Sequence, residues 1–254
     1  MTKAPLIEVF GSIQGEGRFC GEPMVFVRTA TCPIRCDYCD TENSYRAPNE
    51  VPIGDGPLEM LRNPVRVEEA TRAVLRCWRA LGFDEHTAPS VSLTGGEPLQ
   101  FAEFGRQLGA ALPEGSRFHL ETAALDPDSL VVVLPALTHL SADHKLPSSL
   151  QGPGNTISDF GEKHRLCVEH ALDAGLTVDL KIVVTSTTGL AELESALNHH
   201  RPAAGLEVVL QPVTPIRGLG APSSEQLDGF VRAVTARRFP VRVLPQLHPR
   251  LGLR

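Results

Sequence analysis

Residues 176–213, LTVDLKIVVTSTTGLAELESALNHHRPAAGLEVVLQPV, decide the fold class of this chain. Residues 176–185 and 206–213 are apolar and rich in β-branched side chains, as is typical of buried strands. Between them, residues 189–199 have the apolar spacing of an amphipathic helix. A strand, a helix and a second strand in this order predict two parallel strands, because a parallel connection needs a crossover segment.

The same alternation runs through most of the chain. Further strands are predicted at 24–27, 90–94, 117–122, 138–143 and 241–245, and further helices at 68–81, 101–112, 159–174 and 223–237. About six strands separated by helices, plus the short last one, are fewer than the eight of a closed barrel. The pattern therefore predicts an α/β fold, an incomplete, open β/α barrel of about six parallel strands, in a single domain over residues 1–254. Residues 47–65, rich in proline, glycine and acids, predict a loop or lid.

Composition and charge narrow the function classes. The chain has 254 residues, of which 42% are hydrophobic and 21% charged, and a formal net charge of -6, which argues against broad binding to nucleic acids or anionic membranes. No apolar run reaches the ~20 residues that span a bilayer, and the first residues lack a secretory signal. We therefore expect a cytoplasmic protein. In that reducing compartment its six cysteines are expected to be metal ligands or core residues rather than disulfides.

Three of the cysteines lie within eight residues, in Cys32-Pro-Ile-Arg-Cys36-Asp-Tyr-Cys39, directly after the first predicted strand. Three thiolates on one loop suit three irons of a 4Fe–4S cluster and leave the fourth iron open to a small chelating ligand. A structural zinc site is the alternative, although a zinc ribbon normally shows a second cysteine pair. A chance group of core cysteines is a third reading, which the interleaved charges of Arg35 and Asp37 disfavour.

The CxxxCxxC spacing, with Tyr38 before the last cysteine, resembles the radical S-adenosylmethionine superfamily. Thr94-Gly95-Gly96-Glu97-Pro98, at the end of a predicted strand, resembles the superfamily's GGEP segment. Two glycines let the main chain approach a ligand without an intervening Cβ. The resemblance implies a 4Fe–4S cluster, S-adenosylmethionine and a 5′-deoxyadenosyl radical.

The flanking residues resemble one family, the 7-carboxy-7-deazaguanine synthases. Its E-x-F-x-x-x-Q-G-E-G segment has its counterpart in residues 8–17, its F-x-R in residues 26–28, and its terminal segment in the QLH of residues 246–248. The resemblance covers most of the chain. It implies a lyase that contracts the ring of 6-carboxy-5,6,7,8-tetrahydropterin to 7-carboxy-7-deazaguanine with loss of ammonia, in queuosine biosynthesis. It also implies assistance by Mg²⁺, a homodimer and an external electron donor such as a flavodoxin or ferredoxin.

The resemblance also implies roles for individual residues. Those expected to bind the pterin, or to close over it, are Ile13, Gln14, Gly15, Glu16, Arg28, Thr94, Gln246, His248 and the terminal Arg254. Those expected at the cofactor are Tyr38, Cys39, Asp40, Gly95, Gly96, Glu97, Glu121, Ser141, Lys145 and Lys181. The expected metal ligands are Cys32, Cys36 and Cys39 for the cluster and Thr41 for magnesium. No side chain is assigned a catalytic role, because the radical forms on the cofactor.

The sequence departs from the family at one segment. Where the family often has Ser-Pro-Lys after a strand, this chain has Ser141-Ala-Asp-His-Lys145, with two residues inserted, so the role of His144 is open. Two other functions remain as alternatives. One is an activating enzyme for glycyl-radical proteins, which would need a protein surface as substrate, and the other is a non-catalytic iron–sulfur or zinc module, which would not cleave S-adenosylmethionine.

Overall fold

A ten-stranded sheet forms the centre of the computed structural model, which describes residues 2–54, 59–150 and 159–253. The strands are β1 (Lys3–Ala4), β2 (Leu6–Ile13), β3 (Pro23–Thr29), β4 (Glu50–Ile53), β5 (Glu59–Arg62), β6 (Val65–Arg66), β7 (Ser90–Gly95), β8 (Arg117–Thr122), β9 (His139–Asp143), β10 (Thr177–Val184), β11 (Leu206–Pro212) and β12 (Val241–Val243). The helices are α1 (Val67–Ala80), α2 (Ala102–Ala110), α3 (Pro127–Val133), α4 (Phe160–Asp173), α5 (Leu190–Asn198), α6 (Ser224–Ala236) and α7 (His248–Leu251).

The strand order is β12-β11-β10-β9-β8-β7-β3-β2-β4-β5, and β1 pairs separately with β6. From β3 through β7 to β12, neighbouring strands are parallel and follow one another in chain order, with a helix in each connection. The predicted α/β class and mostly parallel sheet are confirmed. The bounds of the predicted strands and helices agree with the structure to within a few residues, as at β8 and α6. Ser223 caps the first turn of α6, because its hydroxyl accepts from the Gln226 backbone at 3.2 Å.

Several elements differ from the predictions, and the short β1, β6 and α7 were not predicted either. Strand β2 was not predicted, because a register shift between Leu6 and Glu8 interrupts the apolar alternation that identifies a strand. Helix α3 was also missed, although Asp126 followed by Pro127 is a helix-start signal and the Asp126 carboxylate does accept from the Ser129 backbone. The loop predicted over 47–65 is wrong in part, since it contains the antiparallel pair β4–β5, whereas residues 55–58 lie outside the described residues.

The two faces of the sheet have different environments, as β10 shows. Val178, Leu180 and Ile182 are fully buried in the main apolar core, which also contains side chains of α1 to α6. The alternate residues Asp179 and Lys181 point to the opposite face, because side chains alternate along a strand. This second face carries the site described below. Among the described residues, no helix has the length and apolar character that crossing a membrane would require.

Candidate active site

A pocket opens at the carboxyl ends of the parallel strands, where ligands bind in β/α folds. Its volume is about 1300 Å³, counting the solvent at its mouth. All the residues assigned to the site from the sequence, apart from Arg254, line this one pocket: Ile13, Gln14, Gly15, Glu16, Arg28, Cys32, Cys36, Tyr38, Cys39, Asp40, Thr41, Thr94, Gly95, Gly96, Glu97, Glu121, Ser141, Lys145, Lys181, Gln246 and His248. Arg254 lies outside the described residues.

The cysteine loop follows β3 and places Cys32, Cys36 and Cys39 on the pocket wall. None of the three forms a disulfide. Arg35 holds the loop from within, since its guanidinium donates to the Cys32 and Ile34 carbonyls at 2.7 and 2.8 Å and lies 3.9 Å from the centre of the Tyr45 ring. The loop therefore has a defined shape that presents three thiols to one cavity.

These thiols suit an iron–sulfur cluster by number and by chemistry. Burial raises the pKa of Cys32 to about 11 and raises that of Cys36 as well, so that an iron site has to displace the thiol protons. The other three cysteines do not line the pocket, and Cys77 and Cys167 are buried in the main core. Three thiolates and no fourth cysteine in the pocket agree with a cluster that keeps one iron open.

Gly95 and Gly96 bring the end of β7 against the chain that enters the cysteine loop. Gly95 has φ +127°, and a Cβ at either glycine would overlap the backbone of Thr29 or Thr31. The Gly96 and Glu97 amides donate to the Thr29 and Thr31 carbonyls at 3.0 and 2.8 Å. Packing of main chain on main chain therefore demands glycine here, which is a different reason from the ligand approach that the sequence suggests.

Glu97 uses its carboxylate within the protein. It is 3% exposed and accepts from the Thr122 hydroxyl at 2.5 Å and from the Leu99 and Ala123 amides at 3.0 and 2.9 Å. Burial raises the pKa of this carboxyl group. Glu97 thus ties the turn after β7 to the end of β8 and holds two walls of the pocket together.

Four charged side chains form a chain of ion pairs along one wall. Lys181 Nζ lies 2.6 Å from Glu16 Oε2 and 3.0 Å from Asp143 Oδ2, and Lys145 Nζ lies 2.8 Å from the same Asp143 oxygen. Lys145 also lies 5.2 Å from the centre of the Tyr38 ring. We call Glu16, Lys181, Asp143 and Lys145 the ion-pair chain.

All four members of the ion-pair chain are charged near neutral pH. Burial alone would raise the pKa values of Asp143 and Glu16, but the neighbouring ammonium groups outweigh burial and lower both. Burial alone would lower the pKa values of Lys181 and Lys145, but the facing carboxylates outweigh it and raise both. The wall therefore offers fixed positive and negative charges to a polar ligand.

Glu121 gathers three polar side chains at the centre of the pocket. Its carboxylate accepts from Gln14 at 2.8 Å, from Ser92 at 2.7 Å and from Thr94 at 3.1 Å. These partners come from β7 and the segment after β2, which are distant in the sequence from each other and from Glu121 on β8. Glu121 therefore orients Gln14 and Thr94, two of the residues expected to bind the pterin.

Arg28 and Thr41, which precede and follow the cysteine loop in the sequence, lie together on the pocket wall. Arg28 Nε is 2.9 Å from Glu8 Oε1, and its Nη1 donates to the Thr41 hydroxyl at 3.4 Å. Thr41 in turn donates to Asp40 Oδ1 at 2.8 Å. The arrangement combines a guanidinium with hydroxyl and carboxylate oxygens on one side of the pocket.

The carboxyl-terminal segment closes onto the QGEG segment of residues 14–17. Gln246 donates to Glu16 at 2.8 Å and to Asp40 at 3.0 Å, and the Leu247 amide donates to the Gly15 carbonyl at 3.0 Å. A Cβ at Gly15 would overlap the His248 ring, so glycine is required for this close approach. The structure thus brings together the two ends of the chain that the sequence singled out.

Some lining residues were missed from the sequence. Asp143, the centre of the ion-pair chain, ends a predicted strand, and this position at a strand's carboxyl end was the signal that could have identified it. Gln211 is 3% exposed with an Oε1 atom that accepts no hydrogen bond from the described residues. Phe10 and Phe26, whose rings stack 5.2 Å apart, add an apolar wall, but β2 itself was not predicted.

Comparison with known proteins agrees with this geometry. The chain is 50% identical to the 7-carboxy-7-deazaguanine synthase of Thermoplasma acidophilum, over 96% of this chain and 94% of that protein. It is 32% identical to the synthase of Methanopyrus kandleri, over 95% of this chain and 90% of that protein. This chain belongs to the 7-carboxy-7-deazaguanine synthase family. It is accordingly an enzyme of the radical S-adenosylmethionine type.

Solved structures share the fold of this synthase family member. QueE from Escherichia coli matches with a TM-score of 0.56 and 20% identity, covering 95% of this chain and 93% of that one. A radical SAM methyltransferase from Sphaerobacter thermophilus matches with a TM-score of 0.62 and 17% identity, covering 95% of this chain and 77% of that one. No protein-family model matches the sequence.

Proposed function

We propose that this chain catalyses the ring contraction of 6-carboxy-5,6,7,8-tetrahydropterin to 7-carboxy-7-deazaguanine, with loss of ammonia, in queuosine biosynthesis. One observation carries the proposal. The residues that resemble the family's cluster, cofactor and pterin segments come from eight separate stretches of the sequence, and the described ones line a single pocket. Membership of the family supports the reaction, and the pocket that these residues share supports its location.

Cys32, Cys36 and Cys39 would hold the 4Fe–4S cluster, and the strand ends beside them would hold S-adenosylmethionine. When bound, the pair supplies a radical that takes hydrogen from the substrate. The residues proposed to surround S-adenosylmethionine are Tyr38, Asp40, Gly95, Gly96, Glu97, Glu121, Ser141, Lys145 and Lys181. Lys145 and Lys181 of the ion-pair chain offer ammonium groups to a carboxylate, and the carboxylates of Asp143 and Glu16 beside them can accept from hydroxyl or amino groups.

Pterin recognition would fall to the adjoining part of the pocket. Gln14 is oriented by Glu121 at 2.8 Å, and Glu16 is oriented by Lys181 and Gln246, so both present fixed polar atoms to a flat ring. The stacked Phe10 and Phe26 give that ring an apolar neighbour. Arg28 would receive the substrate carboxylate, since a guanidinium can bind both carboxylate oxygens. Ile13, Gly15, Thr94 and His248 complete this side, and Arg254 is proposed on the family resemblance alone.

A magnesium ion would bind between this substrate carboxylate and Thr41. The Thr41 hydroxyl and the Asp40 carboxylate lie 2.8 Å apart and are hard oxygen donors of the kind that Mg²⁺ prefers. Two protein oxygens are few for an octahedral ion, so the substrate and water would supply the rest. The proposed ligand set makes magnesium binding dependent on the substrate.

The proposal includes the family's wider organisation. The chain-order succession of parallel strands from β3 to β12 supports an open barrel in a single domain. The cluster has to receive its electron from outside, for which a flavodoxin or ferredoxin is the expected donor, and a homodimer is the expected assembly. Because the chain has a net charge of -6, we expect the electron donor to bind at a site with local positive charge and not through long-range attraction to the whole protein.

An anaerobic assay tests the reaction. Iron-reconstituted protein is mixed with S-adenosylmethionine, a chemical reductant and the carboxylated tetrahydropterin, and the deazaguanine product is followed by mass spectrometry. We expect product from the wild type and from Cys20→Ala, whose thiol lies outside the pocket, and none from Cys36→Ala. Release of 5′-deoxyadenosine without the deazaguanine would show that the substrate is wrong, and neither product from protein with an intact cluster would overturn the proposal.

A further inference from the structure

Three histidines meet behind the pocket, on the helix side of the sheet. His144 directly follows β9, His164 lies in α4, and His200 lies two residues beyond α5. Their exposed fractions are 5%, 0% and 7%. We call these three residues the histidine cluster. They do not line the pocket, and neither the family resemblance nor the proposed reaction uses them.

The ring nitrogens of the cluster have the spacing of metal ligands. One nitrogen from each ring lies within 4.8 Å of the others, and His164 Nδ1 is 3.3 Å from His200 Nε2. Nitrogens bound to tetrahedral zinc at about 2.0–2.1 Å are separated by about 3.3–3.4 Å, so this pair already has the length of one tetrahedral edge. A hydrogen bond between two neutral rings has a similar length, so this distance alone does not distinguish a metal site from a hydrogen bond.

The histidine cluster also contains a buried ring nitrogen that has no hydrogen-bond partner among the described residues. Among the described residues, His144 Nδ1 makes no hydrogen bond, although its side chain is almost completely buried and its ring lies 4.7 Å from that of His164. Buried polar atoms in proteins are normally paired with protein, water or an ion.

We propose that His144, His164 and His200 bind one divalent transition-metal ion, zinc in the first instance, at a site separate from the iron–sulfur cluster. Three neutral imidazoles suit zinc and other borderline metals and do not suit magnesium or calcium, which prefer oxygen. Three protein ligands leave a fourth position for water. His199, exposed beside Gly161 with its ring 6.4 Å from that of His144, lies on the solvent side of the cluster.

Such an ion would fix the strand end that carries part of the ion-pair chain. His144 lies between Asp143 and Lys145 in sequence, and its amide donates to the Lys181 carbonyl at 2.8 Å. A metal bridging His144 to α4 and to the end of α5 would fasten these three elements to one another at a single point. The role of the ion is therefore to position the pocket wall rather than to contact the ligand.

The test measures zinc in protein whose cysteine loop cannot bind it. The variant with Cys32, Cys36 and Cys39 all changed to alanine is treated with chelator, equilibrated with ZnCl₂ and desalted, and its metal content is measured by mass spectrometry. We expect about one zinc per chain, with nitrogen and oxygen but no sulfur ligands in zinc X-ray absorption spectra. The same protein should melt at a higher temperature with zinc than without it.

Substitutions within that background identify the ligands. His200→Asn and His144→Gln should each weaken zinc binding at least tenfold in competition with a chromophoric chelator, whereas His86→Asn, on the exposed loop before β7, should not change it. Circular dichroism checks that each variant is folded, and two separate ligand variants guard against a failure of either one. Zinc well below one per chain in the folded triple-alanine protein, or equal affinity in the His86 and His200 variants, would overturn the proposal. Neither result depends on the deazaguanine assay.

Discussion

Two layers of polar side chains lie on the same face of β8, β9 and β10, and they differ in what covers them. The upper layer, with Glu121, Asp143 and Lys181, opens into the pocket. The lower layer lies nearer the amino ends of the same strands: His119 and His139 are register partners, and Asp179 Oδ2 lies 3.6 Å from His139 Nε2. Since side chains alternate along a strand, both layers point the same way.

The turn at 17–19 covers the lower layer. Arg18 Nε lies 2.6 Å from Asp179 Oδ1, and the Phe19 ring lies 4.4 Å from that of His119 and 4.9 Å from that of His139. The upper layer also has partners from the adjoining segment, since Gln14 donates to Glu121 and Glu16 pairs with Lys181, but it borders the open pocket instead of a packed aromatic ring. Alternation along a strand therefore determines the face of the sheet on which a side chain lies. The segment that packs on that face determines whether its polar residues contribute to stability or remain available for binding.

The largest effect is expected from Asp179→Asn in the lower layer. The Asp179 side chain is 1% exposed, and its loss as an anion leaves Arg18 without its carboxylate, so we expect the free energy of unfolding to fall by about 3 kcal/mol. Urea denaturation measures it. The matched control is Glu207→Gln, the register neighbour of Asp179 on β11, whose ion pair with Arg242 is half exposed and should contribute about 0.5 kcal/mol or less. Equal losses in the two variants would contradict the buried role of Asp179.

In the upper layer, Lys181→Met should lower activity strongly and stability only slightly. Glu16 keeps Gln246 and Asp143 keeps Lys145, so stability should change less than in Asp179→Asn. The pocket loses a fixed ammonium group, and we expect kcat/KM for the carboxylated pterin to fall about a hundredfold. Unchanged kcat/KM in a variant that unfolds more easily would place Lys181 with the lower layer.

Acid should act on the lower layer before it acts on the upper one. Burial, with His139 and Arg117 nearby and Asp179 opposing, lowers the pKa of His119 to about 3, against 6.5 for an unfolded histidine. A lowered pKa contributes stability above pH 6.5 that is lost as pH falls towards the folded value, because the unfolded chain takes up the proton first. From pH 7 to pH 5 this loss amounts to about 2 kcal/mol for one histidine.

His119→Phe isolates that contribution. The ring Nε2 of His119 makes no hydrogen bond among the described residues, so phenylalanine removes the titration and keeps an aromatic ring against Phe19 without breaking a bond at Nε2. The variant's free energy of unfolding should fall about 2 kcal/mol less than the wild type's between pH 7 and pH 5. His86→Gln, which is exposed, should follow the wild type. The carboxylates of the ion-pair chain have lowered pKa values and lose their contribution at lower pH, as they approach protonation.

The smallest effect is expected at the pocket's other side, in Arg28→Lys. Lysine keeps the charge beside Glu8 but cannot bind a carboxylate through two parallel hydrogen bonds. We expect KM for the carboxylated pterin to rise about tenfold with the cluster's absorbance unchanged. Similar KM values for both proteins would remove Arg28 from the substrate site and leave it as a structural partner of Glu8.

Local patterns were sufficient for most of the parallel sheet. The strands from β7 to β11 and the long helices have unbroken periodicities and clear end signals, such as Ser223 before α6. The failures have physical causes. The register shift in β2 hides its alternation, and the pair β4–β5 lies in a segment whose proline and glycine content is typical of loops. Gly95 and Gly96 line the pocket, but their missing Cβ atoms make room for the backbone of residues 29–31, which no local pattern predicts.

The sequence by itself determined the chemistry of this protein: three cysteines spaced for one cluster, a GGEP turn after a strand, and the QGEG segment, all short-range patterns that one stretch of chain displays on its own. Only the tertiary structure decided which side chains meet. Lys181 faces Glu16 across 165 positions, Glu121 collects Gln14 and Thr94, and His144 meets His164 and His200. Such contacts depend on sheet register and on the turns that cover each layer, and no local periodicity records them.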